Sequence, residues 1–210
     1  LPSTLSRNHP AALRFFDLAN NGTIGNITSM QGIFNVSISN RPGELRYRAE
    51  LGGGAMMDLG CYVLHMMRLV TRSDPVIQTA TAVKDSTNVD VAMDAYLEFD
   101  GVKSHLQCDM REGTERAIQF RVEGDAGYMV FDQFIHPYRD FKIDIHAKGR
   151  NITLTHEADP KAYKRTTYEY QLDHVMDIMN NHASPLTGGL DSLRTMEAID
   201  NIYRAAGFDR

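Results

Sequence analysis

Leu51–Arg72, LGGGAMMDLGCYVLHMMRLVTR, is the stretch that decides how this chain of 210 residues folds. Three consecutive glycines, Gly52–Gly54, precede a run of helical length that contains no proline and is apolar on almost every side. A helix that is apolar nearly all round belongs in a protein core. The sequence therefore predicts a buried central helix over residues 51–72, with glycines at its start that let another backbone or a ligand approach closely.

Three polar side chains interrupt this apolar helix: Asp58, Tyr62 and His65. Their spacing of i, i+4 and i+7 places them within roughly 60° of one another on an α-helix. Burying a carboxylate, a phenol and an imidazole is costly unless they are paired or face a cavity. The spacing alone leaves two interpretations open: a small-molecule site, or three satisfied polar residues of the core.

The segments around the central helix predict an α+β fold, with a largely antiparallel open sheet and helices packed on one face, in a single domain over residues 1–210. Residues 1–50 supply a lead-in helix that starts near Pro10, a strand in which Phe34, Val36 and Ile38 alternate with polar residues, and a charged loop.

Residues 76–155 read as the strands of this sheet. In Val91–Phe99 apolar and polar residues alternate, and Asp100-Gly101 is a two-residue hairpin turn into Val102–Met110. Such alternation predicts one buried face and one that is wet or forms an interface.

Residues 166–206 predict two closing helices that cover the core face of the sheet. Tyr168–Asn181 carries one apolar stripe and Leu190–Ala206 carries another. The first stripe comprises Leu172, Val175, Met176 and Met179, and the second comprises Leu193, Met196, Ile199 and Tyr203.

Composition and charge exclude several classes of function. A net charge of -5 and the absence of a basic tract argue against nucleic acid as a partner. No apolar run reaches the ~18 residues needed to cross a bilayer, so we expect no membrane association. Cys61 and Cys108 form neither a disulfide framework nor a metal-ligand pattern, and with no signal peptide evident we expect a reducing, cytoplasmic location.

A metal site is not expected either. His136, His146 and His156 recur every ten residues, but no carboxylate or cysteine stands beside them at ligand spacing. Strand alternation would scatter the three imidazoles, so we assign them no metal.

The glycine-led helix also resembles a known family. GGGAMMDLGCYVLH is similar to the signature GG-G/A-x-x-x-D-x-G-x-Y/H-x-x-x of the Gfo/Idh/MocA oxidoreductases, in the subgroup that has Tyr four residues after the Asp. Four other segments resemble the family in the same order: RNHP at 7–10, the helix that ends at NNGTIGNI (20–27), EGDAGYMVFD at 123–132 and PLTGGLDSLRTMEAIDNIYRAA at 185–206.

This resemblance implies a substrate-binding domain for a small polar or hydroxylated molecule, of the kind found in dihydrodiol, xylose and glucose-fructose enzymes. It implies that Tyr62 donates or accepts the proton at the reacting oxygen and that Asp58 orients the substrate. The shared helix stripe, not the resemblance, makes His65 a third acid–base candidate. Arg7, Arg48, Gly53 and Gly54 are the expected substrate-binding residues.

The cofactor-binding half of such enzymes has no counterpart in this sequence. No G-x-G-x-x-G is present, so we expect this chain to hold no cofactor; NAD or NADP would belong to an N-terminal Rossmann domain. In the family that domain also carries a catalytic lysine. Either the chain is part of a longer oxidoreductase, or the protein functions without the domain.

Three functions therefore stay open. The chain is the substrate-binding and oligomerisation domain of a sugar or diol dehydrogenase, not redox-competent by itself; or a cofactor-independent lyase, isomerase or cyclase that uses Asp58, Tyr62 and His65; or a module without chemistry. The family resemblance also implies a homodimer through the open sheet face. The residues predicted on that face are Asp94, Tyr96, Glu98, Lys103, His105, Gln107, Gln119 and Arg121.

Overall fold

We analysed a computed structural model of the chain, which describes residues 5–158, 160–186 and 188–208. Predictions that fall on residues 1–4, 159, 187 and 209–210 lie outside the described residues. The described part has the predicted α+β fold, with eight strands in a mostly antiparallel open sheet. It divides into two compact units. The first unit contains the residues up to Thr28 and Arg121–Leu193; the second contains Ser29–Phe120 and the residues from Arg194 onward.

The regular elements agree closely with the predicted order. The strands are β1 Ile27–Asn35, β2 Val76–Lys84, β3 Asp90–Phe99, β4 Val102–Asp109, β5 Ala117–Gly124, β6 Gly127–Asp132, β7 Lys142–Ala147 and β8 Arg150–Thr155. The α-helices are α1 Pro10–Asn20, α2 Cys61–Thr71, α3 Pro160–Tyr163, α4 Thr167–Met179 and α5 Gly189–Ala205. None of the helices in the described part of the chain has the length and apolar character to span a membrane.

In the second unit the strand order is β2-β3-β4-β1, with β1 and β4 parallel and the other pairs antiparallel. The predicted alternation in β3 is confirmed, because Met93 and Leu97 are buried whereas Tyr96 is 52% exposed. Asp100 and Gly101 both have positive φ (48° and 87°), as a two-residue hairpin turn requires.

β1 is placed differently from the predicted strand around Phe34 and Ile38. It begins at Ile27 and ends at Asn35. Its centre contains Gly32, where an added Cβ would lie 2.2 Å from Val63 Cγ1. This glycine lets the central helix approach the strand closely, and it lies before the alternating residues on which the prediction relied.

The predicted central helix over 51–72 is not a single α-helix. A 3₁₀ turn, Ala49–Leu51, precedes the glycines, and one π-helical turn, Met56–Gly60, leads into α2. In the π turn the Cys61 N–H donates to the Met56 carbonyl, five residues earlier. π turns inside α-helices are rare and occur frequently at functional sites.

The first unit has its own aromatic core beside the antiparallel strands β6-β7-β8. The ring of Phe131 lies 5.3 Å from that of Phe15 on α1 and 6.1 Å from that of Phe141, between ring centroids. His9 caps the start of α1 by accepting a hydrogen bond from the Ala11 N–H. Pro10 occupies the first turn, as predicted, where its missing N–H costs nothing.

The prediction that the apolar stripe of α4 covers the sheet is wrong. Its members are among the most exposed apolar residues of the chain: Leu172 61%, Val175 44%, Met176 48% and Met179 70%. The helix is positioned instead by its N-terminal end, where Thr167 is buried and Thr166 and Glu169 form a capping box. The second stripe is partly confirmed, since Ile199 and Tyr203 are buried but Leu193 is 55% exposed.

Candidate functional site

The sequence predicted that either another backbone segment or a ligand approaches the glycines closely. In the structure the glycines before the central helix are approached by protein backbone. An added Cβ on Gly53 would lie 2.5 Å from the carbonyl oxygen of Arg46 and 2.8 Å from that of Arg48. The Gly53 and Gly54 N–H groups donate to these carbonyls, Gly53 to Arg48 at 2.9 Å and Gly54 to Arg46 at 3.0 Å. The glycines therefore hold the 44–48 loop against the start of the central helix.

The same loop is anchored from its other side. The hydroxyl of the buried Tyr47 lies 2.8 Å from the carbonyl oxygen of Ile38 and 3.1 Å from that of Met110, and it donates to one of them. The loop that sequence analysis described as a charged connection is thus fixed in place by main-chain contacts.

Asp90 is a buried carboxylate directly beside the glycines. It accepts a hydrogen bond from the Met56 N–H at 2.7 Å and another from the Tyr203 hydroxyl at 2.8 Å. An added Cβ on Gly54 would lie 2.0 Å from Asp90 Oδ1, so Gly54 is needed for this contact. Asp90 therefore ties the helix start to β3 and to α5.

Asp58 lies on the π turn, with its side chain 32% exposed. Its Oδ2 accepts a hydrogen bond from Arg46 Nε at 2.6 Å, and Arg46 Nη1 donates to Glu44 Oε1 at 2.9 Å. Although burial acts to lower the pKa of Arg46, the hydrogen bonds and charges of Asp58 and Glu44 raise it above its ordinary value. The candidate carboxylate thus has a permanently charged partner.

Tyr62 and His65 follow on α2. Tyr62 is half-buried and meets the ring of Phe34 edge to face, with 5.9 Å between ring centroids, whereas His65 is buried with 3% exposure. Burial raises the pKa of the neighbouring Cys61 thiol to about 12, so Cys61 is not available as a thiolate nucleophile near neutral pH. Of the three predicted catalytic residues, Asp58 and Tyr62 are the two that retain appreciable exposure.

The other predicted binding residues occupy different surroundings. Arg48 contributes its carbonyl to the loop contact, while its side chain is 53% exposed and lies 3.9 Å from Glu50. Arg7 belongs to the first unit, where it donates to the Leu186 carbonyl and lies 3.8 Å from Asp191. Asp58, Tyr62, Arg48 and the two glycines share the second unit.

Sequence reasoning missed two residues of this region, Arg46 and Asp90. Arg46 was visible only as one of several charges in a loop, with nothing to separate it from Arg48. Asp90 stands between Val89 and Val91, and a carboxylate between apolar residues at a strand start is the one signal that could have drawn attention to it.

A metal centre has no support among the residues that the structure describes, because they contain no group of three or more His, Cys, Asp or Glu side chains arranged to hold an ion. His146 Nδ1 instead donates a hydrogen bond to Asn151 Oδ1 at 2.8 Å, and the ring stacks on Tyr128.

The α+β fold, with Asp58 and Tyr62 on the central helix and a loop held by glycines at the helix start, is in keeping with the class of oxidoreductase C-terminal domains. Comparison with protein families makes the assignment: residues 13–130 match the GFO/IDH/MocA C-terminal domain. The chain belongs to the Gfo/Idh/MocA family.

Individual relatives agree with this assignment. The chain is 25% identical to D-xylose 1-dehydrogenase (NADP(+)) 2 of Haloferax volcanii, over 95% of this chain and 60% of the relative. It is 30% identical to an uncharacterized oxidoreductase of Rhizobium meliloti, over 97% of this chain and 61% of the relative.

The fold is also similar to the crystal structure of aldose-aldose oxidoreductase from Caulobacter crescentus complexed with glycerol. The TM-score is 0.83 at 24% identity, covering 97% of this chain and 60% of that one. The chain thus spans about 60% of the length of each of these three relatives.

Proposed function

We propose that this chain is the substrate-binding domain of a nicotinamide-dependent sugar or diol dehydrogenase, and that it binds a small, uncharged, hydroxylated molecule at Asp58 and Tyr62. One observation carries the proposal: Asp58 on the π turn and Tyr62 on the helix that follows it both stay partly exposed, and Asp58 contacts Arg46 of a loop that Gly53 and Gly54 hold in place. The names of the relatives, a xylose dehydrogenase and an aldose oxidoreductase, support the substrate class.

The two side chains have complementary chemistry. Asp58, held beside the Arg46 guanidinium, accepts a hydrogen bond from a substrate hydroxyl and fixes its orientation. Tyr62 offers a phenolic O–H that donates to the reacting oxygen, a carbonyl in one direction of reaction and a hydroxyl in the other. A tyrosine has an ordinary pKa near 10, so it needs a neighbouring cation before it can accept a proton efficiently near neutral pH.

The hydride would come from NAD or NADP, which the residues of this chain do not fit. Among the described residues the consecutive glycines 52–54 hold protein backbone and a buried carboxylate, and the Lys148-Gly149 turn joins two strands. Neither is a glycine-rich turn between a strand and a helix N-terminus, the usual cradle for a pyrophosphate. We therefore propose that the chain alone has no dehydrogenase activity.

Tyr62→Phe tests the proposed role. In a dehydrogenase that contains this domain, loss of the phenolic hydroxyl lowers kcat by about 10²-fold or more, the usual scale for a positioned acid or base, while the melting temperature is unchanged. The matched control is Tyr168→Phe, at an exposed tyrosine on α4. Equal activity of the two variants would contradict the proposal.

The cofactor part is tested on this chain by itself. Calorimetric titration with NADP and with NAD is expected to show no binding in the micromolar range. Micromolar binding, or turnover of a sugar without any nicotinamide, would instead favour an independent enzyme.

We also propose that the domain forms a homodimer through its open sheet face and works in the cytoplasm. On that face Tyr96 is exposed and stacks on His105, whose Nε2 lies 2.8 Å from Asp94 Oδ2. Cys61 and Cys108 are both buried and joined to no other cysteine, as is common in proteins of a reducing compartment.

A further inference from the structure

Arg46 is held more firmly than an arginine in a surface loop usually is. Its carbonyl oxygen accepts the Gly54 N–H, its own N–H donates to Glu44 Oε1 at 3.2 Å, and the next residue, Tyr47, is buried. The Cα of Arg46 therefore has a fixed position relative to the helix start, so its side chain needs little reordering to bind a ligand.

The guanidinium group uses only part of its hydrogen-bonding capacity. A guanidinium has five N–H donors, and within the described residues those of Arg46 reach Asp58 through Nε and Glu44 through Nη1. Nη2 has no partner there, although 36% of the side chain is exposed to solvent.

The carboxylate that Arg46 contacts is likewise only partly used. Asp58 Oδ2 accepts from Arg46, while Oδ1 accepts no hydrogen bond from the described part of the chain, and about one third of the side chain is exposed. The partly exposed Arg46–Asp58 pair thus offers a ligand one charged donor, Arg46 Nη2, and one charged acceptor, Asp58 Oδ1.

We propose that Arg46 is a substrate-binding residue, and that Arg46 Nη2 and Asp58 Oδ1 together recognise adjacent hydroxyl groups of an uncharged polyol or sugar. This inference rests on the proposed function and assigns its substrate contact to a residue that neither the signature nor the sequence analysis selected. A hydroxyl both accepts and donates, so one hydroxyl accepts from Nη2 while the same or the neighbouring hydroxyl donates to Oδ1.

The charges around the pair favour a neutral ligand. Two carboxylates, Glu44 and Asp58, offset the charge of Arg46, and the nearby Arg48 lies beside Glu50. The backbone and side-chain hydrogen bonds from Arg46 lower the pKa of the Glu44 carboxyl, and the charges of Arg46 and Arg41 lower it further. With three cations facing three carboxylates, no uncompensated positive charge is left to hold a phosphate group.

The test is a ligand-observed NMR titration of the full chain with D-glucose, D-xylose and glycerol. Arg46→Gln is expected to weaken binding of the sugars by about tenfold or more, the scale of a hydrogen bond to a charged group. Arg46→Lys, which retains the charge but not the forked donors, is expected to be intermediate. The control is Arg41→Gln, which removes the same charge just before the 44–48 loop and leaves binding unchanged.

Each outcome has a defined meaning. If the wild-type chain binds these sugars and Arg46→Gln binds them as Arg41→Gln does, with equal melting temperatures, the inference is wrong and the proposed function stands. If the wild-type chain binds none of the three, the proposed function fails and the inference fails with it. Tighter binding of D-glucose 6-phosphate than of D-glucose would overturn the assignment to an uncharged ligand.

Discussion

Gly54 and Asp90 are in contact at the start of the central helix, and each is needed for the position of the other. Gly54 has φ +130°, a conformation that residues with a Cβ rarely adopt, and it leaves the space that the buried Asp90 carboxylate fills. Asp90 in turn satisfies the Met56 N–H, one of the donors that a helix start leaves without an intrahelical partner.

Gly54→Ala is expected to destabilise the fold severely, by about 2–4 kcal/mol, because it adds a clash with a buried carboxylate to backbone strain. Gly113→Ala is the matched control, since Gly113 has φ +81° and no atom within 4 Å of an added Cβ. Gly113→Ala is expected to lower the free energy of unfolding by about 1 kcal/mol, the cost of the backbone conformation alone. Urea denaturation measures both variants, and equal losses of stability would show that the close contact with Asp90 is not needed.

His9 makes the stability of the first unit depend on pH. Its ring is fully buried, and burial lowers the pKa from 6.5 to about 4, although hydrogen bonds to the Tyr163 and Arg165 backbone act to raise it. Nδ1 accepts from the Ala11 N–H and Nε2 contacts the Tyr163 carbonyl at 3.1 Å, which suits the neutral ring with its proton on Nε2.

The sign of the effect follows from these pKa values. The unfolded chain binds a proton at His9 near pH 6.5 but the folded chain does not until about pH 4, so the stabilisation is present above pH 6.5 and is lost as the pH falls towards 4. The total is about 3 kcal/mol. Asn at position 9 can still cap α1, so His9→Asn is expected to show a flatter stability profile between pH 7 and pH 4. Identical slopes for the two proteins would contradict the assignment.

At the scale of elements, the π turn decides how the candidate site is presented. In an ideal α-helix Asp58 and Tyr62 would lie one above the other. The single π turn before Cys61 contains one more residue than an α-helical turn, which changes this alignment. The offset leaves Asp58 at the edge of the helix, within reach of Arg46, while Tyr62 packs against Phe34.

The two closing helices are expected to lose very different amounts of stability when their apolar residues are truncated. Ile202→Ala on α5 removes a fully buried side chain and should cost about 2–4 kcal/mol. Leu172→Ala on α4 removes one that is 61% exposed and should cost less than about 0.5 kcal/mol. Thermal and urea unfolding compare them directly. A loss at Leu172 as large as that at Ile202 would mean that the α4 stripe is covered in solution.

At the scale of the whole molecule, the proposed dimer depends on one face of the second unit's sheet. Tyr96 is an exposed aromatic residue of that face. Tyrosines that become buried when two proteins associate commonly carry a large share of the binding energy. Tyr96→Ala is therefore expected to raise the dimer dissociation constant by about 30-fold or more, equivalent to about 2 kcal/mol.

Sedimentation measurements of the wild-type chain and two variants test this expectation. Tyr168→Ala is the matched control, because Tyr168 is exposed to a similar degree but lies on α4. A wild-type chain that is monomeric at tens of micromolar would contradict the dimer. Dissociation by Tyr168→Ala instead of Tyr96→Ala would move the interface to the α4 stripe.

The sequence by itself determined the α+β class, the order of the elements, the buried alternation in β3 and the family, because these depend on local periodicity and on one contiguous motif. The boundaries of Val91–Phe99 and Val102–Met110 were predicted to within one residue for the same reason. Asp58 and Tyr62 could be selected as candidates because the motif names them, although their roles stay predictions.

Only the tertiary structure decided which residues meet at the helix start. Strict alternation from Val91 onward would place Asp90 on the outer face of β3, but the register with β2 shifts there, pairing Val83 with Ala92 and Lys84 with Asp90. Such a bulge redirects a side chain, and Asp90 is fully buried as a result. Arg46 was indistinguishable from Arg48 in the sequence, and α4 carried a stripe that looked like core. A pattern reports the spacing of residues along the chain, whereas burial and pairing depend on which distant segment packs against each face.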